Sequence, residues 1–223
     1  SQWLYDCAKD STITKNFPIK KLPWPINRKI FKKMHKNTLR KEFNLPLNKK
    51  IIIFNTFSGI YNKRKGWDLF VEAIQHTKSD FEIVVIGHEE NKKNLEKLIK
   101  KKIHWMGKFD DDIKISKILN CGDIFLLPSR ADALPQTGLE AQSCGLPLVT
   151  FNSNGLKDLV DHKIDGFHAE PFNPKSLSVG IDWILQDNKI SKKLSENSII
   201  KATKKWDSEI VALEYKKIYS NLI

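Results

Sequence analysis

One feature restricts this chain more than any other: an alternation of apolar runs and helical patterns that starts at residue 51. IIIFN (51–55) is an unbroken apolar run, the pattern of a strand buried on both faces. After Gly66, the residues Trp67, Phe70, Val71 and Ile74 fall at i, i+3, i+4 and i+7, one face of an amphipathic helix. FEIVVIG (81–87) reads as the next strand, NKKNLEKLIKKK (91–102) as a helix and IHWMG (103–107) as a strand. DIKISKILNC (112–121) is a helix and DIFLLPS (123–129) a strand. TGLEAQSCG (137–145) is a helix closed by Gly145, and LPLVTFN (146–152) a strand. A short helix at 154–162, a short strand at 165–171 and helices at 174–186, 189–204 and 207–221 complete the pattern. Buried strands joined by helices run parallel, because each crossover returns the chain to the same end of the sheet, in a right-handed sense. The expected architecture is a doubly wound α/β domain with a parallel sheet.

The residues before this alternation read differently. Residues 1–15 predict a short helix with Trp3, Leu4 and Cys7 on one face, and 19–27 (IKKLPWPIN) a strand running into a proline turn. Residues 28–50 form a basic connection with a helix over 31–43, ending near Pro46. The expected division is 1–48 as linker and remnant of a preceding domain, 49–204 as the α/β domain, and 205–223 as a C-terminal helix. The opening has no initiating Met and no secretory signal pattern, so the expectation is part of a longer protein.

Composition narrows the function classes. Apolar residues make up 40 % and charged residues 29 % of the chain, enough of both for a globular domain with a core. No apolar run approaches the roughly 18 residues that cross a bilayer. Three cysteines, far apart and odd in number, form neither a disulfide framework nor a metal knuckle. They predict reduced thiols and a cytoplasmic setting. The six histidines lack ligand spacing, and no metal site is expected. The formal charge is +12, but the lysines are spread along the chain and are not interleaved with aromatics, which argues against nucleic acid. A solvated basic surface and attraction to an anionic membrane face both fit that charge.

In a parallel doubly wound sheet, ligands bind beyond the carboxyl ends of the strands. Two loops there carry chemistry. The first, after strand 51–55, holds Lys63, Arg64 and Lys65 and then Gly66 at a helix start. Cations and a flexible backbone at that point suit a phosphate, and Arg adds a bidentate fork. A phosphate-binding P-loop motif is absent. The second loop, after strand 123–129, holds Asp132, with Glu140 in the following helix and seven residues between them. Glu140 can accept the hydroxyls of a ribose and Asp132 those of a sugar, while the amides near Gln136, Thr137 and Gly138 can hold a pyrophosphate. Thr137-x-x-Glu140 also reads as a capping box, with Thr137 as N-cap, and that needs no ligand. Spacing alone leaves both open.

The segment DALPQTGLEAQSCGLPLVTFNSNGLKDLVDHKIDGFHAEPFNPKSLSVGIDWIL (132–185) resembles the C-terminal domain of retaining glycosyltransferases of the GT-B fold, group 1 or family 4 type. The likeness is strongest to those that use nucleotide sugars to build bacterial capsule, exopolysaccharide and lipopolysaccharide. NKRKGWDLFVEAI resembles that group's phosphate-binding segment, and LNCGDIFLLPS the strand leading into its carboxylate loop. The resemblance implies a Rossmann-like C-terminal half of a GT-B fold that binds a UDP- or GDP-type nucleotide sugar. It implies that Glu140 holds the ribose, that Asp132 lies near the donor sugar, and that Lys65 binds the diphosphate as leaving group. Leu134, Pro135, Gln136 and Thr137 would line the phosphates and sugar, and Gly107 and Lys108 the base. No metal or cofactor is implied. The acceptor, a glycan or a polyprenyl-linked sugar, would meet an N-terminal domain that has no counterpart here, so the chain alone is expected to be inactive, and peripheral membrane association is a further expectation. Two departures stand out. Asp132 occupies a position that is usually Glu, and Gly59 stands where the family commonly has an Arg six residues before the lysine. Arg64 is the candidate substitute.

Two other classes fit parts of the pattern. A nucleotide-sugar epimerase of the same fold would need catalytic carboxylates and a histidine in arrangements not found. A non-enzymatic basic α/β module would leave both loaded loops unexplained.

Overall fold

The computed structural model describes residues 1–56, 62–87 and 92–221. Six strands form one sheet: β1 (Lys50–Thr56), β2 (Phe81–Gly87), β3 (Ile103–Gly107), β4 (Ile124–Leu127), β5 (Leu148–Phe151) and β6 (Gly166–Ala169). Their spatial order is β3-β2-β1-β4-β5-β6, and every neighbouring pair is parallel. The chain winds outward from β1 through β2 to β3, then crosses back to β4 beside β1 and winds outward the other way. This is the doubly wound, Rossmann-like arrangement expected from the alternation, with its switch point between β1 and β4.

The central strands explain the apolar runs. Ile51, Ile52, Ile53 and Phe54 of β1 and all four residues of β4 are buried, because helices cover both faces of a parallel sheet. The helices are α1 (Gln2–Asp10), α2 (Lys36–Glu42), α3 (Trp67–His76), α4 (Lys92–Ile99), α5 (Asp112–Leu119), α6 (Gln136–Ser143), α7 (Leu156–Leu159), α8 (Pro174–Gln186), α9 (Asn188–Lys205) and α10 (Ser208–Ser220). Helix α3 buries Trp67, Phe70, Val71 and Ile74, the stripe its spacing predicts, and packs on α8. Helix α8 starts with Pro174 after Asn173, whose side chain accepts from the amides of Lys175 and Ser176. Helix α6 ends where the chain turns left-handed at Gly145 (φ 72°), and the Leu146 amide reaches back to the Ala141 carbonyl.

Several boundaries differ from the sequence reading. Residues 19–27 form no strand: only Ile26 makes a bridge, pairing with Asp207 through bonds to Trp206 and Ser208. Pro23 and Pro25 remove two amide donors from this stretch, which cannot sustain a ladder. The helix expected over 31–43 is confined to α2, and the one over 1–15 to α1. Residues 1–48 are also not uniform. Phe31, Leu39 and Leu45 are part of the hydrophobic core, and buried Arg40 donates to the carbonyls of Cys121, Pro46 and Lys49 and to Asp123. That end of the stretch is packed into the α/β domain. Among the described residues no helix is long and apolar enough to cross a membrane.

Candidate functional site

The two loaded loops leave the sheet from adjacent strands, β1 and β4, on the same side and at the switch point. The first described residues after the β1 loop are a short 3-10 turn, Lys63–Lys65, ended by Gly66 in the left-handed region. A Cβ on Gly66 would lie 2.0 Å from the Pro128 carbonyl oxygen, so glycine is what lets this loop press against the end of β4. Trp67 anchors the start of α3, with its ring 5.1 Å from Phe70 and 5.3 Å from Phe54.

Hydrogen bonds of Arg130 bolt the two loops together, and Asn154 and Gly155 tie the second to the loop after β5. The Arg130 amide donates to the Arg64 carbonyl at 2.8 Å. The Arg130 guanidinium holds Asp68 with both nitrogens, at 2.8 and 2.5 Å, and the Lys63 carbonyl at 2.7 Å. On the other side, Asn154 accepts from the Asp132 amide and donates to the Arg130 carbonyl. The Gly155 amide donates to the Asp132 carbonyl at 3.0 Å. A Cβ on Gly155 would meet the Ala133 oxygen at 1.4 Å, which leaves room for glycine alone.

Within that frame the structure gathers Arg64, Lys65 and Asp132. One Asp132 oxygen accepts from Arg64 at 2.6 Å and the other from Lys65 at 3.1 Å. Arg64 also donates to the Ala131 carbonyl, so its guanidinium lies against the β4 loop. Lys65 and Asp132 are mostly covered, and Arg64 is half-exposed.

Glu140 lies on the next element, α6. The capping-box reading of Thr137 and Glu140 is corrected here. Helix α6 starts two residues earlier than that reading requires, with Pro135 as N-cap and no side chain bonding its first amides. Thr137 is therefore inside the helix. The Glu140 carboxylate instead accepts from the Gln136 side chain at 2.9 Å, one turn away. Only 7 % of Glu140 is exposed. Burial pushes its carboxyl up to about 7, against the Gln136 hydrogen bond that lowers it. The result is a carboxylate with a neutral neighbour, beside an uncapped helix start whose Gln136 and Thr137 amides point outward.

Leu134 and Pro135 are buried and set the entry of α6, while Gln136 is exposed. Gly107 (φ 80°) ends the edge strand β3, and Lys108 next to it is exposed and 3.6 Å from Asp110. Both lie at the carboxyl end of the sheet, two strands from β1. Gly59 lies outside the described residues. Sequence reading missed Arg130, Asp68, Asn154 and Gly155. The Asn-Gly pair at 154–155 was the available signal, since Asn takes a positive φ of 35° there. It also missed the Gln136–Glu140 pair, one helical turn apart. Among the described residues no group of three or more His, Cys, Asp or Glu side chains gathers as a metal site.

The comparisons with known proteins bear on this geometry. The model of the family described as glycosyl transferases group 1 matches residues 35–201. The chain belongs to that family. One relative of this glycosyl transferase chain is the N,N'-diacetylbacillosaminyl-diphospho-undecaprenol alpha-1,3-N-acetylgalactosaminyltransferase of Campylobacter jejuni. It is 31 % identical over 89 % of this chain and 53 % of its own length. The chain spans about half the length of the curated relatives it matches. Among solved structures, the C-terminal domain of a group 1 family protein from Francisella tularensis matches with a TM-score of 0.69 and 21 % identity. That match covers 82 % of this chain and 98 % of that one. The Anabaena protein HepE, crystallised with UDP and glucose, matches with a TM-score of 0.75 and 18 % identity, over 88 % of this chain and 55 % of that one. These likenesses show a shared fold, the Rossmann-like half of a GT-B glycosyltransferase.

Proposed function

We propose that this chain is the donor-binding half of a glycosyltransferase, and that it takes a nucleoside diphosphate sugar at the β1/β4 switch point. The observation that carries this reading is the convergence of Arg64, Lys65 and Asp132 beside an uncapped helix start and a buried carboxylate. Two cations and outward amides suit a diphosphate. A carboxylate one helical turn inside α6 suits the two hydroxyls of a ribose.

The reaction moves a sugar from the diphosphate to an acceptor hydroxyl: the bond from anomeric carbon to phosphate oxygen breaks, one to the acceptor oxygen forms, and the hydroxyl proton leaves to the departing diphosphate or to water. Negative charge develops on the departing diphosphate. Lys65, Arg64 and the α6 amides are fixed electrostatic partners for that charge. Asp132, which pairs with both cations, is the candidate for the contact to the sugar. We infer retention at the anomeric carbon and a UDP-type donor, with a glycan or lipid-linked acceptor bound by the other half of the enzyme. The resemblance in residues 132–185 supports retention. The UDP bound by Anabaena HepE and the undecaprenol-linked acceptor in the name of the Campylobacter relative support the rest.

Isothermal titration of the chain with UDP, GDP, ADP and CMP, alongside Glu140→Ala, tests the reading. Saturable binding of one diphosphate, lost in the variant without loss of folding, is the expected result. A folded chain that binds none of them, alone or with the upstream half restored, refutes it.

A further inference from the structure

We propose that Asp132 is an internal competitor for the diphosphate. In the unliganded domain its carboxylate holds Arg64 and Lys65, and the donor enters by exchange with it. This rests on reading the site as a diphosphate site.

The geometry is that of an anion already seated on the cations. Each Asp132 oxygen engages a different cation, at 2.6 Å and 3.1 Å. Two oxygens bridging two cations is also how a phosphoryl group presents its charge. Among the described residues, Asp132 is the acidic side chain ion-paired with Arg64 and Lys65. Its side chain is 12 % exposed and that of Lys65 is 17 %, so water screens the Lys65 contact only partly.

These ion pairs are not what joins the two loops. Arg130 already ties α3 and the 3-10 turn to the β4 loop through Asp68, the Lys63 carbonyl and the Arg64 carbonyl. Asn154 and Gly155 fix the backbone of residue 132 itself. The Asp132 side chain is thus free to leave the cations without the loop coming apart. A diphosphate carries more charge and more oxygens than one carboxylate, and displaces it. The freed carboxylate then faces the space beside the phosphates, where the sugar lies. After transfer, the carboxylate returns to the cations as the nucleoside diphosphate departs, so that the cations are not left bare. Asp132 weakens diphosphate binding and speeds its release.

The test is titration calorimetry of the chain with UDP and with inorganic pyrophosphate, for the wild type, Asp132→Asn, Asp132→Ser and Lys65→Ala, with stopped-flow dissociation of UDP. Partly exposed ion pairs are individually weak, so removing both contacts raises affinity about five- to tenfold. Both Asp132 variants are expected to bind both ligands tighter by that factor and to release UDP more slowly, and Lys65→Ala to bind more weakly. If UDP binds the wild type and Lys65→Ala weakens it, but neither Asp132 variant gains affinity, the exchange is wrong and the diphosphate site stands. If none of the proteins binds UDP or pyrophosphate, the site reading is wrong and the exchange falls with it. Loss of folding in both Asp132 variants, read by thermal melting without ligand, also overturns the proposal, because the ion pairs would then be structural.

Discussion

Glu140→Gln is expected to move stability and binding in opposite directions. Burial raises the Glu140 carboxyl from its ordinary 4.5 to about 7. The folded state therefore holds this proton more tightly than the unfolded chain does. The stability it contributes is fully present below about pH 4.5 and is lost as pH rises through about 7. A gap of roughly 2.5 units corresponds to about 3 kcal/mol of penalty on the folded domain at pH 8. Glu140→Gln keeps the shape and the hydrogen bond from Gln136 but cannot ionise. In urea titrations followed by circular dichroism, the variant should be more stable than wild type at pH 8, by up to about 3 kcal/mol. The two should converge below about pH 4.5. UDP binding should go the other way. The ionised carboxylate accepts ribose hydroxyls, and each charge-assisted hydrogen bond is worth roughly 1.5–3 kcal/mol. The variant should bind UDP at least about tenfold more weakly at pH 8, with the difference shrinking toward pH 5.5 as wild-type Glu140 protonates. A variant that is less stable than wild type at pH 8, and that binds UDP equally well at every pH, would refute the reasoning.

Further perturbations test the frame around the site. Lys65→Ala removes one cation from the pocket and should cost UDP affinity between about ten- and a hundredfold in calorimetry, with little change in melting temperature. Gly155→Ala places a methyl where the Ala133 oxygen stands, and should lower stability by several kcal/mol (roughly 3 or more) in urea titrations and abolish UDP binding. Lys201→Met leaves Asp165, 1 % exposed, buried without its cation 3.0 Å away. It should cost about 3–5 kcal/mol by the same measurement, and a neutral result would show that the pair contributes nothing net.

The fold was legible because burial on both faces writes itself into composition. IIIFN and FEIVVIG have no polar alternation, and only a covered parallel sheet accommodates such runs side by side. Helix α3 was legible for the same reason: its apolar spacing is the stripe it buries. The opening 1–48 was less so. Its core residues, Ile26, Phe31, Leu39 and Leu45, carry no period, and buried Arg40 beside them donates to the carbonyl of Cys121, 81 residues away. The failed strand at 19–27 followed from weighing apolar residues above Pro23 and Pro25, which deny it a ladder.

The site divides along the same line. Residue types at strand ends were readable, because a switch point concentrates ligand chemistry in a few loops. Pairings across loops were not. The capping-box reading of Glu140 fell by two residues of register: the N-cap of α6 is Pro135, so Thr137 lies inside the helix, and Glu140 is buried. Likewise, whether Arg64 points to solvent or to Asp132 is decided by Gly66 and Pro128, which press the two loops into contact. The sequence names the charges on each loop, but the distance between the loops is set by atoms 62 or more residues apart along the chain. That distance makes Asp132 a neighbour of Arg64 and Lys65, while Glu140, buried on the following helix, has Gln136 as its partner.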